Sequence, residues 1–349
     1  MTLRRTLMAC LAALTLPLAA CGDRPESSAT EAGGVLNLYT ARHYDGDLQV
    51  YAAFEAATGI RINRIEGNPD QLIARMQAEG DASPADVFMA ADAGALWRAQ
   101  NAGLLQPVTA EALSAAIPAN LRQPQGYFFG LSRRARVVAY DSSRVRPEEV
   151  STYEALASPR FRGKLCVRSS DSVYNLSLVG ALLEAWGPDK TKAWVEGVVA
   201  NMARPPEGGD RDQIRAVGAG VCEVAITNSY YYVRMARSAD PADVTLTDKV
   251  KLGFPSLNGQ GAHVNVSGAG VAKNAPNRAA AIAFLEYLAT PAAQQLNAGL
   301  NNEFPAANGV SAPAGVREYE SFTAHPMPVA VYGPRQAAAQ SLMTAAGWR

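Results

Sequence analysis

The sequence predicts an α/β protein of two α/β lobes joined by a hinge and separated by an interlobe cleft. Three observations carry this expectation. β-rich hexads alternate with amphipathic stretches from Val35 onwards, and one long β-type run, residues 127–140, has no helix close behind it. The strand, polar loop and helix rhythm then begins again at Leu165. A chain of 349 residues, 48% hydrophobic and 18% charged, is long enough to bury two cores. Lys plus Arg and Asp plus Glu balance at 32 each, so there is neither a basic field for nucleic acid nor an acidic solvating tail.

The first residues are not expected to belong to the fold. Arg4 and Arg5 precede an apolar stretch, residues 7–20, that is too short to span a bilayer and is closed by LAAC at residues 18–21. Residues 1–20 resemble a bacterial lipoprotein signal peptide, which implies that Cys21 is lipidated and becomes the first residue. An ordinary cleaved signal is the alternative, and the paired arginines match a twin-arginine signal only weakly. Residues 21–34, rich in Ser, Glu, Ala and Gly, read as a flexible tether from membrane to fold. The expected location is the periplasm or cell envelope, with a lipid anchor. With Cys10 removed and Cys21 set aside, Cys166 and Cys222 remain in an oxidising compartment, either as a disulfide or as two separately buried thiols.

Residues 35–40, VLNLYT, follow two glycines and read as the first strand. Beyond the polar ARHYDGD, Asp47 is expected to cap a helix with Val50, Phe54 and Ala57 on one face and Gly59 as its stop. Residues 60–65 make a second strand. Asn68 and Pro69 open the next helix, residues 86–90 form a third strand, and a helix surrounds Leu96 and Trp97. This alternation predicts a parallel sheet. Residues 127–140 then cross between lobes, and Arg133, Arg134 and Arg136 on them read as a solvated face, although they could border a cleft. In the second lobe, residues 165–168 are a strand and Asn175 opens a helix through Leu176, Val179 and Leu183. A further helix lies near residues 194–199, and residues 221–227 are a strand. Residues 261–273 make the return crossing. Ala281, Phe284, Leu285 and Leu288 mark a helix, Thr290 and Pro291 start another, and a closing helix follows Pro328. The crossings assign residues 35–131 and 262–306 to lobe 1, and 132–261 and 307–349 to lobe 2.

Three strands end alike, each running into a polar loop, a tyrosine and a helix start. They bring His43 and Tyr44, then Tyr174, then Tyr230 and Tyr231 of the run NSYYYVR, residues 228–234. In open α/β sheets the carboxyl ends of strands border the ligand crevice. Such an aromatic run more often marks a half-buried strand or helix face, and each residue alone has an ordinary reading: a loop histidine, a packing aromatic, a solvated arginine. Their shared position after strands points instead to a hard, highly charged cation. Phenols become phenolates beside such an ion, four of them would exceed the charge of iron(III) by one, and Arg234, one turn from the tyrosine pair, would balance the surplus. His43 can add a neutral nitrogen. With His43, His263 and His325 the only histidines, a zinc or copper site is poorly supported.

Six segments, LYTARHYDGD, SPADVFMAADAGALWRA, SDSVYNLS, VVANMARPPEGGDRDQI, NSYYYVR and AHVNVSGAGVAK, resemble in order those of the iron(III)-binding periplasmic proteins of bacterial ABC uptake systems. These are the transferrin-like members of the type II periplasmic-binding-protein fold. The resemblance implies metal ligands at His43, Tyr44, Tyr174, Tyr230 and Tyr231, with Arg234 behind them and Tyr232 packing elsewhere. It also implies Fe(3+) as the transported ligand, an ABC permease and ATPase as partners, a monomer, and no catalysis. Two other readings stay open at this point: the same fold holding an oxyanion or small organic anion, and an exported hydrolase using His43 as base. The second lacks any GxSxG, HExxH or SxxK arrangement.

Overall fold

The computed structural model describes residues 34–349. The expected signal peptide, Cys21 and all of the expected tether but Gly34 lie outside the described residues.

The opening alternation forms as the sequence patterning directs: β1 (Val35–Thr40), α1 (Asp45–Thr58), β2 (Arg61–Glu66), α2 (Pro69–Glu79), β3 (Val87–Ala90) and α3 (Ala93–Asn101). Gly59 ends α1 with φ at 72°, a conformation that penalises any side chain. Asn68 caps α2 by accepting from the Asp70 amide at 2.9 Å, with Pro69 in the first turn. α1 starts at Asp45 rather than behind Asp47, because the Asp47 carboxylate is occupied by Arg42 and Asn301 and caps nothing.

α4 (Glu111–Ala116) leads to the long strand β4 (Phe129–Asp141). Next come β5 (Leu165–Cys166), α5 (Val173–Asn201), α6 (Asp210–Gly218), β6 (Val224–Asn228), α7 (Ser229–Ala236), α8 (Pro241–Lys249) and β7 (Val250–Gly253). The chain closes with β8 (Val264–Val271), α9 (Arg278–Ala289), α10 (Pro291–Asn301), β9 (Phe304–Pro305) and α11 (Tyr332–Ala345). α5 begins two residues before Asn175, so Tyr174 sits in its first turn, and non-helical Gly187 followed by Pro188 breaks it in two, the second part being the separate helix expected near residue 194.

The strand order is β2-β1-β3-β8-β4-β6-β5, with β7 and β9 pairing on β4. The opening alternation forms the expected parallel set, β1 parallel to β2 and β3; the crossing strands add antiparallel pairs, β8 running antiparallel to both β3 and β4, and β4 antiparallel to β6. The returning strand inserts between neighbours instead of following a right-handed crossover. β4 also links two hydrophobic clusters. Its first half, with Phe129 and Leu131, packs with Leu38, Phe88, Val266 and Phe284. Its second half, with Val138 and Tyr140, packs with Leu165, Leu178, Trp194 and Trp348. α11 belongs to both, through Tyr332 and Met343.

Cys166 and Cys222 form a disulfide with Cα atoms 5.9 Å apart, beside the parallel pair β5 and β6.

Candidate metal centre

Tyr44 is the residue at the N-cap of α1, Tyr174 lies in the first turn of α5, and Tyr230 and Tyr231 lie in the first turn of α7. α1 and α5 follow loops after β1 and β5, and α7 follows β6 directly, so the tyrosines leave the carboxyl ends of β1, β5 and β6. Their hydroxyls meet. Tyr44 donates to the Tyr230 oxygen at 3.0 Å, and the Tyr174 and Tyr230 hydroxyls are hydrogen-bonded at 3.2 Å. The rings of Tyr230 and Tyr231 lie 4.1 Å apart. Tyr232 points elsewhere, its hydroxyl donating to the Val250 carbonyl at 2.8 Å. His43 is exposed, and among the described residues no hydrogen bond joins it to these phenols.

Four guanidiniums touch the rings. Arg42 lies over Tyr44 at 4.6 Å, while Arg168, Arg134 and Arg136 lie 5.4, 5.6 and 5.8 Å from the centre of Tyr174. The expectation of a solvated arginine face is corrected for Arg134 and Arg136, which are buried, whereas Arg133 is half-buried and pairs with Glu320 at 2.6 Å. The two buried guanidiniums alternate along β4, so both face the cleft side. Arg234 lies apart from this set, exposed and 3.6 Å from Asp45.

Buried carboxylates hold these cations. Arg42 donates to Asp47 at 2.8 Å and to Glu303 at 2.9 Å, and Glu303 also faces Arg134 at 3.9 Å. Asp210 pairs with Arg136 at 2.7 Å and faces Arg168 at 3.6 Å. Burial would raise the Glu303 carboxyl, but Arg42, Arg134 and the Ser132 hydroxyl hold it below the usual carboxylate range. Desolvation pushes Tyr44 and Tyr230 well above the ordinary phenol range, reinforced in each by the neighbouring Tyr174. Desolvation likewise raises Tyr231, helped by Tyr174 and Asp210. These phenols are therefore held in their neutral, protonated form at ordinary pH.

Among the described residues, no group of three or more His, Cys, Asp or Glu could hold a metal ion. The clustered phenols are thus the donor set on offer, hard oxygens suited to a hard cation.

Residues 49–324 match the family model described as bacterial extracellular solute-binding protein. The chain belongs to that family. Within it, the chain is 48% identical over 316 residues to Iron uptake protein A2 of Synechocystis sp., covering 90% of each. A Trichodesmium protein (IdiA, FutA) solved in complex with iron and citrate ligands superposes with a TM-score of 0.87 at 49% identity, over 90% of this chain and 100% of that one. The ferric binding protein from Campylobacter jejuni superposes at 0.85 with 35% identity, over 90% and 100% respectively. The fold of this solute-binding protein is accordingly the type II periplasmic-binding-protein fold, two α/β lobes with a hinge and a cleft.

Sequence reasoning missed the frame behind the phenols. Arg42, Arg168, Asp210 and Glu303 are single charged residues in polar loops or at element ends, where a solvated reading is the default. The detectable signal was in β4: two arginines two apart on a strand share one face, so on a strand crossing between cores they enter the cleft or leave it together.

Proposed function

We propose that this chain is an extracytoplasmic solute-binding protein that captures iron(III) through the hydroxyls of Tyr44, Tyr174, Tyr230 and Tyr231, with His43 as a fifth donor. It delivers the ion to the permease and ATPase of an ABC transporter and performs no catalysis. The observation that carries this reading is the meeting of phenol oxygens from three separate segments within 3.0 and 3.2 Å, inside a shell of guanidiniums. Four phenolates around iron(III) leave one negative charge. Four guanidiniums touch the rings and three carboxylates, Asp47, Glu303 and Asp210, are ion-paired to them, so the frame supplies one positive charge in return. Arg234 is then free of the balancing role first given to it, and its pairing with Asp45 places it at the rim. The names of the relatives, which speak of iron uptake and ferric binding, support the same cargo.

His43 would reach the metal by turning inward from its exposed position, since it neighbours Tyr44. Residues 35–131 with 262–306, and 132–261 with 307–349, are taken as the two lobes that close on the ion. The chain acts as a monomer held to the membrane through lipidated Cys21; Cys21→Ala should move it from the detergent to the aqueous phase on phase separation.

The test of the cargo is visible absorption on adding ferric citrate to the purified chain. A phenolate-to-iron charge-transfer band is expected, and it should weaken in Tyr230→Phe and Tyr231→Phe. Absence of colour, together with binding of a small organic anion in metal-free buffer, would replace iron with the anion that the same guanidiniums could hold.

A further inference from the structure

We infer that Asp210 is a positioning residue of this centre, one that fixes Tyr174 against the Tyr230 and Tyr231 pair. The inference rests on the iron reading given above. Asp210 is the first residue of α6 and is buried. One of its carboxylate oxygens, Oδ2, accepts from the backbone amide of Asn228 and from Nη1 of Arg136, both at 2.7 Å. The other, Oδ1, lies 3.6 Å from Nη1 of Arg168.

Both donors lead to tyrosines. Asn228 stands at the N-cap of α7, yet its side chain makes no capping hydrogen bond; its Oδ1 accepts from Arg136 at 3.2 Å instead. The helix carrying Tyr230 and Tyr231 is therefore anchored by a backbone amide on Asp210, where a side-chain cap would ordinarily do it. In the other direction, Nη2 of Arg136 donates to Oδ1 of Asn175 at 2.8 Å. Asn175 adjoins Tyr174 and donates to the carbonyls of Arg168 and Ser169 at 3.1 and 2.9 Å. A line of buried hydrogen bonds thus joins Asn175, the residue after Tyr174, through Arg136 and Asp210 to Asn228, two residues before Tyr230 in the chain. Asp210 is the link at which Arg136 and the Asn228 amide meet on one oxygen, Oδ2, while Oδ1 makes no hydrogen bond and faces the Arg168 guanidinium at 3.6 Å.

An amide at this position could keep both Oδ2 bonds only by turning its own N–H donors toward the Arg168 guanidinium, which would push the two apart and distort the line. Positioning and simple charge predict opposite results. Removing an anion beside phenols makes their ionisation easier and would tighten iron binding, whereas losing the link misplaces the phenols and loosens it.

The experiment uses the full chain, loaded with ferric citrate, as wild type, Asp210→Asn, Asp210→Glu and Asp86→Asn. Asp86 is a buried carboxylate outside this frame, accepting from the amides of Asn37 and Asn277 at 2.7 and 2.6 Å, and it controls for plain loss of stability. Two quantities are read: the position and intensity of the charge-transfer band, and the citrate concentration that strips half of the iron. Asp210→Asn is expected to shift the band and to lose iron at roughly tenfold less citrate, while Asp86→Asn lowers the melting temperature and moves neither. A wild-type chain without a band overturns the iron reading and this inference with it. A wild-type band that Asp210→Asn retains unchanged, or holds against more citrate, overturns the positioning role alone. If Asp210→Asn shows no cooperative melting, Asp210→Glu decides: it keeps the charge and lengthens the arm, so a shifted band supports positioning and an unchanged band overturns it.

Discussion

Removing one phenol oxygen is the smallest change that separates packing from ligation at this centre. Tyr231 is half-buried and its ring stacks on Tyr230, so Tyr231→Phe keeps the stack and loses only the donor. Its melting temperature should stay near wild type while iron retention against citrate falls by at least about tenfold, the loss that supporting partners alone can cause. Tyr230→Phe is expected to cost more, because Tyr44 and Tyr174 both hydrogen-bond its oxygen. Away from the centre, His263 is buried against Tyr332, and burial, then Arg136, Arg134 and His325, depress its pKa from the ordinary 6.5 to about 3. The unfolded chain takes up a proton below pH 6.5 that the folded chain refuses, so this contribution to stability is full above pH 6.5 and is lost as pH falls toward 3. The loss is about 1 kcal/mol per pH unit in that window. Urea denaturation at pH 7.5 and 5.5 should show a smaller decline in His263→Phe, which keeps an aromatic ring on Tyr332 but cannot titrate. At this scale the tyrosines were legible, since three in a row are conspicuous and two lie eight residues after cysteines. Asp210 and Glu303 were not, because nothing local distinguishes a buried acid from a solvated one; their partners are Arg136 on a distant strand and Arg42 near the other end of the chain.

Among the elements, those with their own punctuation were readable. Asn68 with Pro69, Thr290 with Pro291, and Gly59 fix helix ends by chemistry within a few residues, and α2, α10 and α1 end or begin where those residues stand. α8 has the same start, Asp240 accepting from the Ala242 amide ahead of Pro241, but is only nine residues long; α6, β7 and β9 carry no such pattern over enough length, and the antiparallel insertion of β8 is a tertiary choice that alternation alone cannot reveal. The disulfide could be read only as one of two states. As formed, it closes a chain separation of 56 residues beside β5 and β6, the two strands that deliver Tyr174 and the tyrosine pair. Replacing Cys166 and Cys222 together with Ser should lower stability to urea by about 2–4 kcal/mol, chiefly by freeing the unfolded chain. Alkylation of the wild type before and after reduction, read by mass, checks the bond; labelling without reductant would remove the basis for that loss.

For the whole molecule, the question is what keeps the cleft shut. The contacts between α1 and α7 at the mouth are slight: the Tyr44 hydroxyl on Tyr230 at 3.0 Å, and the exposed pair of Arg234 with Asp45 at 3.6 Å. Exposed ion pairs are worth less than about 1 kcal/mol, and a neutral hydrogen bond contributes about as little net of water. Behind the mouth, by contrast, β4 runs unbroken through both cores and pairs along its length with β8, β6, β7 and β9. That is the arrangement of a firm hinge with a weak clasp, and on the proposed ligand set it would make the bound ion, joining phenolates from both sides, the dominant closing force. The metal-free chain should therefore sample open forms in solution, and small-angle X-ray scattering should show its radius of gyration fall when ferric citrate is added. Tyr44→Phe removes the only one of the four phenols carried by α1, and it should stay expanded at iron concentrations that compact the wild type. Asp45→Asn cuts the rim pair alone and should compact normally. Equal radii with and without iron in the wild type would mean that the clasp is already strong enough to hold, and the balance argued here would be reversed.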